Sequence, residues 1–189
     1  MSGIQVASKG RAVVLLVVQA VLVLSIAGKY MYERKVCPRV WVRATQYDLN
    51  APLRGRYLAL RLVVDACGLP KDQAHRMGRF DLAAMPDTGS WRWNVKPVVE
   101  DGKLVPALAS DTDRPEVTDE LTVWGNGRCD RAVLSKRAEY FIADTAQGPF
   151  PLKKGAELWV EVTVPPMGPP RPIQLAISEE GAFTPLSMR

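Results

Sequence analysis

The chain has one histidine among its 189 residues, His75, and three cysteines, Cys37, Cys67 and Cys129. A lone histidine removes the imidazole pairs on which many metal centres rest, and nothing near His75 in the sequence resembles a nucleophile beside a base. No cysteine falls in a CxxC or Cys/His spacing, so neither a zinc site nor a dithiol redox centre is written into the chain. Glycine-rich phosphate cradles are missing too. Gly125-Asn126-Gly127 has no GxGxxG or GxxxxGK[ST] context and reads as a turn. Internal repeats are absent, and no catalytic, cofactor or metal residue can be assigned.

The most informative absence is of charge. Residues 12–28, AVVLLVVQAVLVLSIAG, contain no charged side chain, while Lys9 and Arg11 precede them and Lys29, Arg34 and Lys35 follow. As helix this run spans about 25 Å, close to the apolar thickness of a bilayer, and Tyr30 and Tyr32 are placed like interfacial aromatics. Only Gln19 and Ser25 interrupt it, which argues against a half-buried helix of a soluble fold. Ser25-Ile26-Ala27 before Gly28 has the small-x-small form that signal peptidases accept, but the run is long for a cleaved leader, and an uncleaved signal anchor is expected.

Orientation follows less directly. Positive residues are denser after the span, and the positive-inside rule taken alone would hold the following domain in the cytoplasm. A short amino-terminal tail with its own positive charges commonly stays inside while the following domain is exported, and that is the orientation expected here. In an oxidising compartment one cysteine pair can bond. Cys67 with Cys129 is the favoured pair, both lying at ends of predicted strands, while Cys37 sits beside the membrane.

The net charge of +5 and pI near 9.2 suit an anionic partner. Basic residues are spread through the chain, and the one cluster, Lys29, Arg34, Lys35 and Arg39, is juxtamembrane. The lipid bilayer is therefore the expected counterpart, not nucleic acid.

Past the anchor, period-two alternation dominates. Val40, Val42 and Ala44 point one way and Trp41, Arg43 and Thr45 the other. Leu58, Leu60, Leu62 and Val64 repeat the rule. The turn-rich stretch 48–55 predicts a hairpin-like pair between these strands. Trp91 to Val95 and Leu104 to Leu108 flank Asp101-Gly102 and predict a second hairpin. Residues 66–90 and 110–120 read mostly as loop, with a helical turn over Gln73 to Met77. Strands are expected at 138–143, 157–164, 172–177 and 182–186. The proline-rich PPMGPPRP at 165–172 reads as a stiff extended connection.

Weak candidates for chemistry remain. Ser135-Lys136 are neighbours in sequence, which says nothing of their approach in space. Asp111, Asp113, Glu116, Asp119 and Glu120 lack the glycine and the alternate-oxygen spacing of a calcium loop and read as a solvated acidic loop. Trp91, Trp93 and Trp124 are candidates for an aromatic binding surface, set against the commoner role of tryptophan as core or interface.

Leu53-Arg54-Gly55-Arg56-Tyr57-Leu58-Ala59-Leu60-Arg61-Leu62 resembles the GDYXXLXY family of bacterial membrane-anchored proteins. Gly55, Tyr57 and Leu60 match its motif, Arg56 stands at the motif's Asp, and Leu62 at its final Tyr. Further similarity lies in residues 47–52, in Glu139-Tyr140-Phe141-Ile142 and in residues 157–177. The resemblance implies a single-span envelope protein of unassigned activity, often encoded near a multi-span membrane protein. Physically the motif reads as a strand start, with Gly55 permitting a sharp turn, Tyr57 supplying an amphipathic ring and Leu60 facing the core.

The expected architecture is thus mainly β: a tail, transmembrane anchor and juxtamembrane segment over 1–35, then an antiparallel sandwich or barrel-like domain over 36–189. The expected function is a non-enzymatic accessory of a multi-span membrane partner, tethered in the bacterial inner membrane with its domain in the periplasm. Alternatives are an envelope polysaccharide- or peptide-binding module, or a membrane-bound hydrolase whose catalytic residues are not identifiable.

Overall fold

The computed structural model describes residues 3–48, 57–77, 90–124, 127–141, 152–179 and 181–186. The chain separates into two compact units, Met1–Cys37 and Pro38–Arg189.

The first unit is one helix, α1 (Gly3–Val36). Within its stretch from Gly10 to Val36 an 18-residue window reaches a mean hydropathy of 2.3, long and apolar enough to cross a membrane. Its valines and leucines are exposed, Leu16 and Leu24 among them, so it does not behave as the core helix of a soluble fold. The Ser25 hydroxyl donates to the Leu22 carbonyl at 2.8 Å, which satisfies it within the helix, as an apolar solvent demands. Lys29 pairs with Glu33 at 3.7 Å one turn on, at the basic end.

The second unit is a single antiparallel sheet curled into a half-barrel, the barrel-like form of the expected β domain. Its strands are β1 (Arg39–Asp48), β2 (Tyr57–Val64), β3 (His75–Met77), β4 (Ser90–Glu100), β5 (Lys103–Leu108), β6 (Asp119–Val123), β7 (Ala132–Phe141), β8 (Glu157–Thr163), β9 (Arg171–Glu179) and β10 (Ala182–Leu186). The order across the sheet is β10-β9-β8-β1-β2-β7-β6-β4-β3, with β5 paired to β4. Curling carries β5 towards β1 and β2 and encloses one core. Leu60, Val95, Leu121, Leu134, Val160, Val162 and Leu175 are its most deeply buried large side chains.

Alternation explains the strands that the sequence announces. The predicted apolar face of β1 and that of β2 are both buried, and the two strands pair as antiparallel neighbours. The connection at 49–56, Gly55 included, lies outside the described residues, as do the side chain of Tyr57, the end of the predicted strand at 142–143 and the stretch 78–89. Leu60 is fully buried. In the second hairpin, Asp101 (φ 48°) and Gly102 (φ 71°) both take left-handed backbone, the twist a two-residue turn between β4 and β5 requires.

Three expectations need correction. The helical turn lies earlier than Gln73 to Met77: a 3₁₀ turn covers Lys71–Gln73, and His75–Met77 form β3 along the edge of β4. Residues 119–120, expected as part of a loop, open the interior strand β6, and β7 starts at Ala132, six residues before the predicted strand. The proline-rich segment reverses the chain, since β8 and β9 pair antiparallel around it, and Gly168 at φ 103° supplies the left-handed residue that proline cannot.

Cys67, just past β2, is disulfide-bonded to Cys129, just before β7, and Cys37 is free. The bond fastens one end of the β2–β7 pair, where Val64 lies opposite Ala132 and the Ala66 amide donates to the Cys129 carbonyl at 2.8 Å.

Candidate functional site

The central strands bury one face, and what the other face carries is decided by register. One cross-strand row can be followed from edge to edge: His75 opposite Arg92, then Thr122, Val133, Val63, Arg43, Trp159, Ala176 and Pro185. Ala59, Val63 and Ala176 are buried on this outer face and stand apart from the core cluster. Apolar stems of arginine and the faces of indoles are the groups long enough to cover such small residues.

Two constellations occupy the face. The first centres on Glu157, which receives Arg43 Nη2 at 3.1 Å and Arg131 Nη2 at 3.5 Å. Arg43 also stacks over the ring of Trp159, 5.6 Å from its centroid. Phe183 of β10 closes the corner edge-to-face, its centroid 4.8 Å from that of Trp41 and 6.2 Å from that of Trp159. The Trp159 indole N–H is buried here with no acceptor among the described residues.

The second constellation is a small pocket of about 170 Å³ lined by Arg61, Arg92, Thr122, Trp124, Val133, Leu134 and Ser135. An irregularity builds it. Between Arg61 opposite Arg137 and Val63 opposite Val133, β7 holds two residues more than β2, and the surplus bulges at Leu134–Lys136. Bulging leaves the Lys136 amide without a partner on β2, and Asp119 supplies one, its carboxylate accepting that N–H at 2.9 Å and the Glu120 N–H at 2.7 Å. Burial pushes the Asp119 carboxyl above the ordinary aspartate range, against the pull of these hydrogen bonds. Opposite, the guanidinium of Arg92 pairs through Nη1 with Glu120, while its Nε–H is buried with no acceptor among the described residues.

The tryptophans proposed as an aromatic surface do not come together. Trp91 and Trp93 are two apart on β4 and both pack against the core, Trp93 donating its indole N–H to the Pro70 carbonyl at 2.9 Å. Trp124 is 62% exposed and lines the arginine pocket instead. The face is held by Trp41, Trp159 and Phe183, which sequence reading did not single out; Trp41 shares its parity with Arg43 on β1, while register alone brings Trp159 and Phe183 beside them.

Other candidates are equally dispersed. His75 is exposed on edge strand β3. The Lys136 ammonium donates to the carbonyls of Pro115, Glu116 and Thr118, so it staples the 110–118 loop and does not turn to Ser135. The acidic stretch splits three ways. Asp113 accepts from Ser110 and Lys96, Asp119 caps the bulge, and Glu120 faces Arg92. The Ser110 amide and then Lys96 hold the Asp113 carboxyl below its usual range. Among the described residues no three His, Cys, Asp or Glu side chains are grouped as a metal site.

No family model, no curated protein and no solved structure matches the chain.

Proposed function

We propose that the chain is a single-span protein of the bacterial inner membrane whose β domain stands in the periplasm and serves a multi-span membrane partner as a non-enzymatic accessory. The observation that carries this reading is a disulfide, Cys67–Cys129, behind a helix apolar enough to span a bilayer. Disulfides persist in oxidising compartments, and the periplasm is the one next to this membrane. The resemblance of residues 53–62 to the GDYXXLXY motif supplies the partner half of the proposal.

Two fusions at the carboxyl end test the orientation. Alkaline phosphatase, which folds only outside the cytoplasm, is expected to be active there and green fluorescent protein dark. The reverse pattern overturns the periplasmic assignment. Affinity purification from gently solubilised membranes tests the partner, with a multi-span protein expected at near-stoichiometric amount. Recovery of the chain alone across several detergents overturns that half. A second reading, an envelope-ligand binding module, is favoured by the arginine pocket.

A further inference from the structure

The pocket between β2, β4, β6 and β7 has the composition of an oxyanion site. Arg61 and Arg92, two cationic residues, line one cavity together with the hydroxyl residues Thr122 and Ser135 and the exposed Trp124. These residues lie far apart in sequence and meet only because of the sheet order and the β7 bulge. A guanidinium whose Nε–H is buried without an acceptor is costly, because desolvating a charged donor forfeits hydration that only another acceptor restores. Arg92 is in that position: Glu120 takes Nη1, and the buried Nε–H has no acceptor among the described residues.

Size narrows the class. About 170 Å³ equals the liquid volume of five or six waters at ~30 Å³ each, room for a carboxylate and the first few atoms attached to it. Trp124, the exposed aromatic among the lining residues, offers a ring face on which the rest of a larger ligand can stack. A carboxylate is also the group Arg92 already accepts, in Glu120. We infer that this pocket binds the free carboxylate end of a short peptide, gripped by Arg92 and Arg61 with Thr122 and Ser135 as further donors and Trp124 as the shelf for the preceding residue. The inference concerns binding by the purified chain and does not depend on the side of the membrane where the domain stands.

The test uses the full chain in detergent micelles, following the indole N–H resonance of Trp124, assigned as the one lost in Trp124→Phe. Ala-Ala-Ala with a free carboxyl end is titrated against the same peptide as its carboxamide. The expected result is a saturable shift with the free acid, at least tenfold weaker binding of the carboxamide, and competition by acetate exceeding that by inorganic phosphate. Arg92→Gln should weaken free-acid binding tenfold or more. Equal binding of both peptides, binding of neither, or an unchanged Arg92→Gln overturns the assignment. Stronger competition by phosphate overturns the choice of carboxylate. Should Arg92→Gln fail to fold, Trp124→Phe decides by calorimetry, with severalfold weaker binding expected and unchanged binding refuting the shelf.

Discussion

At the scale of single residues, Asp119 sets a pH dependence whose sign is opposite to that of most aspartates. Its folded pKa is raised by burial, so its contribution to stability is fully present below the unfolded pKa and is lost as pH rises through the folded one. Asp113 runs the other way. Its folded pKa is depressed, so what it contributes is present above the unfolded value and disappears as pH falls through the folded one. Carbon-detected NMR titration should therefore place the Asp119 midpoint above, and that of Asp113 below, the ordinary aspartate value. Asp119→Asn keeps an oxygen for the Lys136 amide and should cost under ~1 kcal/mol, whereas Asp119→Ala strands that partly buried N–H and should cost about 1–2 kcal/mol in urea unfolding. Gly127 carries a separate constraint. Its amide donates to the Trp124 carbonyl, and a Cβ added there would sit 2.6 Å from that oxygen. Gly127→Ala should lower stability by about 1–2 kcal/mol and shift the Trp124 indole resonance, because the turn must open. None of this could be read from the chain alone: Asp119 looked like one of five solvated acids, and its burial follows from a bulge on another strand.

At the scale of elements, the readable strands were those with an uninterrupted period of two. β1 and β2 alternate cleanly, and the turn at Asp101-Gly102 marks the second hairpin by its chemistry. β6 escaped notice for a physical reason. Three of the five residues Asp119-Glu120-Leu121-Thr122-Val123 are polar, and Asp119 and Glu120 are spent on the bulge and on Arg92. The first half of β7 escaped because two surplus residues break its alternation after Leu134. The arginine pocket was illegible for a related reason, since its members come from four separate strands and only register assembles them. The disulfide acts at this scale as well. By the chain-entropy account, closing 62 residues of separation is worth about 4 kcal/mol, an upper figure because β2 and β7 already hold their ends together. Cys67→Ser with Cys129→Ser should lower the melting temperature by roughly 5–15 °C in calorimetry, with the strand signature of the circular dichroism spectrum retained.

At the scale of the whole molecule, the basic balance resolves into distinct uses. Lys29 braces the helix end, Arg43 and Arg131 share Glu157, and Arg61 and Arg92 line the pocket, so a net charge of +5 need not imply one basic surface. Raising the salt concentration should accordingly weaken carboxylate binding by the domain while leaving its melting temperature within a few degrees, because partly exposed pairs contribute little to stability. Titration calorimetry and thermal scans at low and high salt would separate the two effects.

The position of β1 has a consequence in time. The first strand made after the helix lies in the middle of the sheet, and one of its neighbours is β8, with Val40 opposite Val162. A ribosome delivers β1 long before it delivers β8, so the newborn domain must wait with an unpaired strand edge until its last third emerges. Stop codons placed before β8 should therefore yield chains that depend on holding chaperones and are rapidly degraded, while a stop just before β10, an edge strand hydrogen-bonded only to β9, should leave a protein that survives.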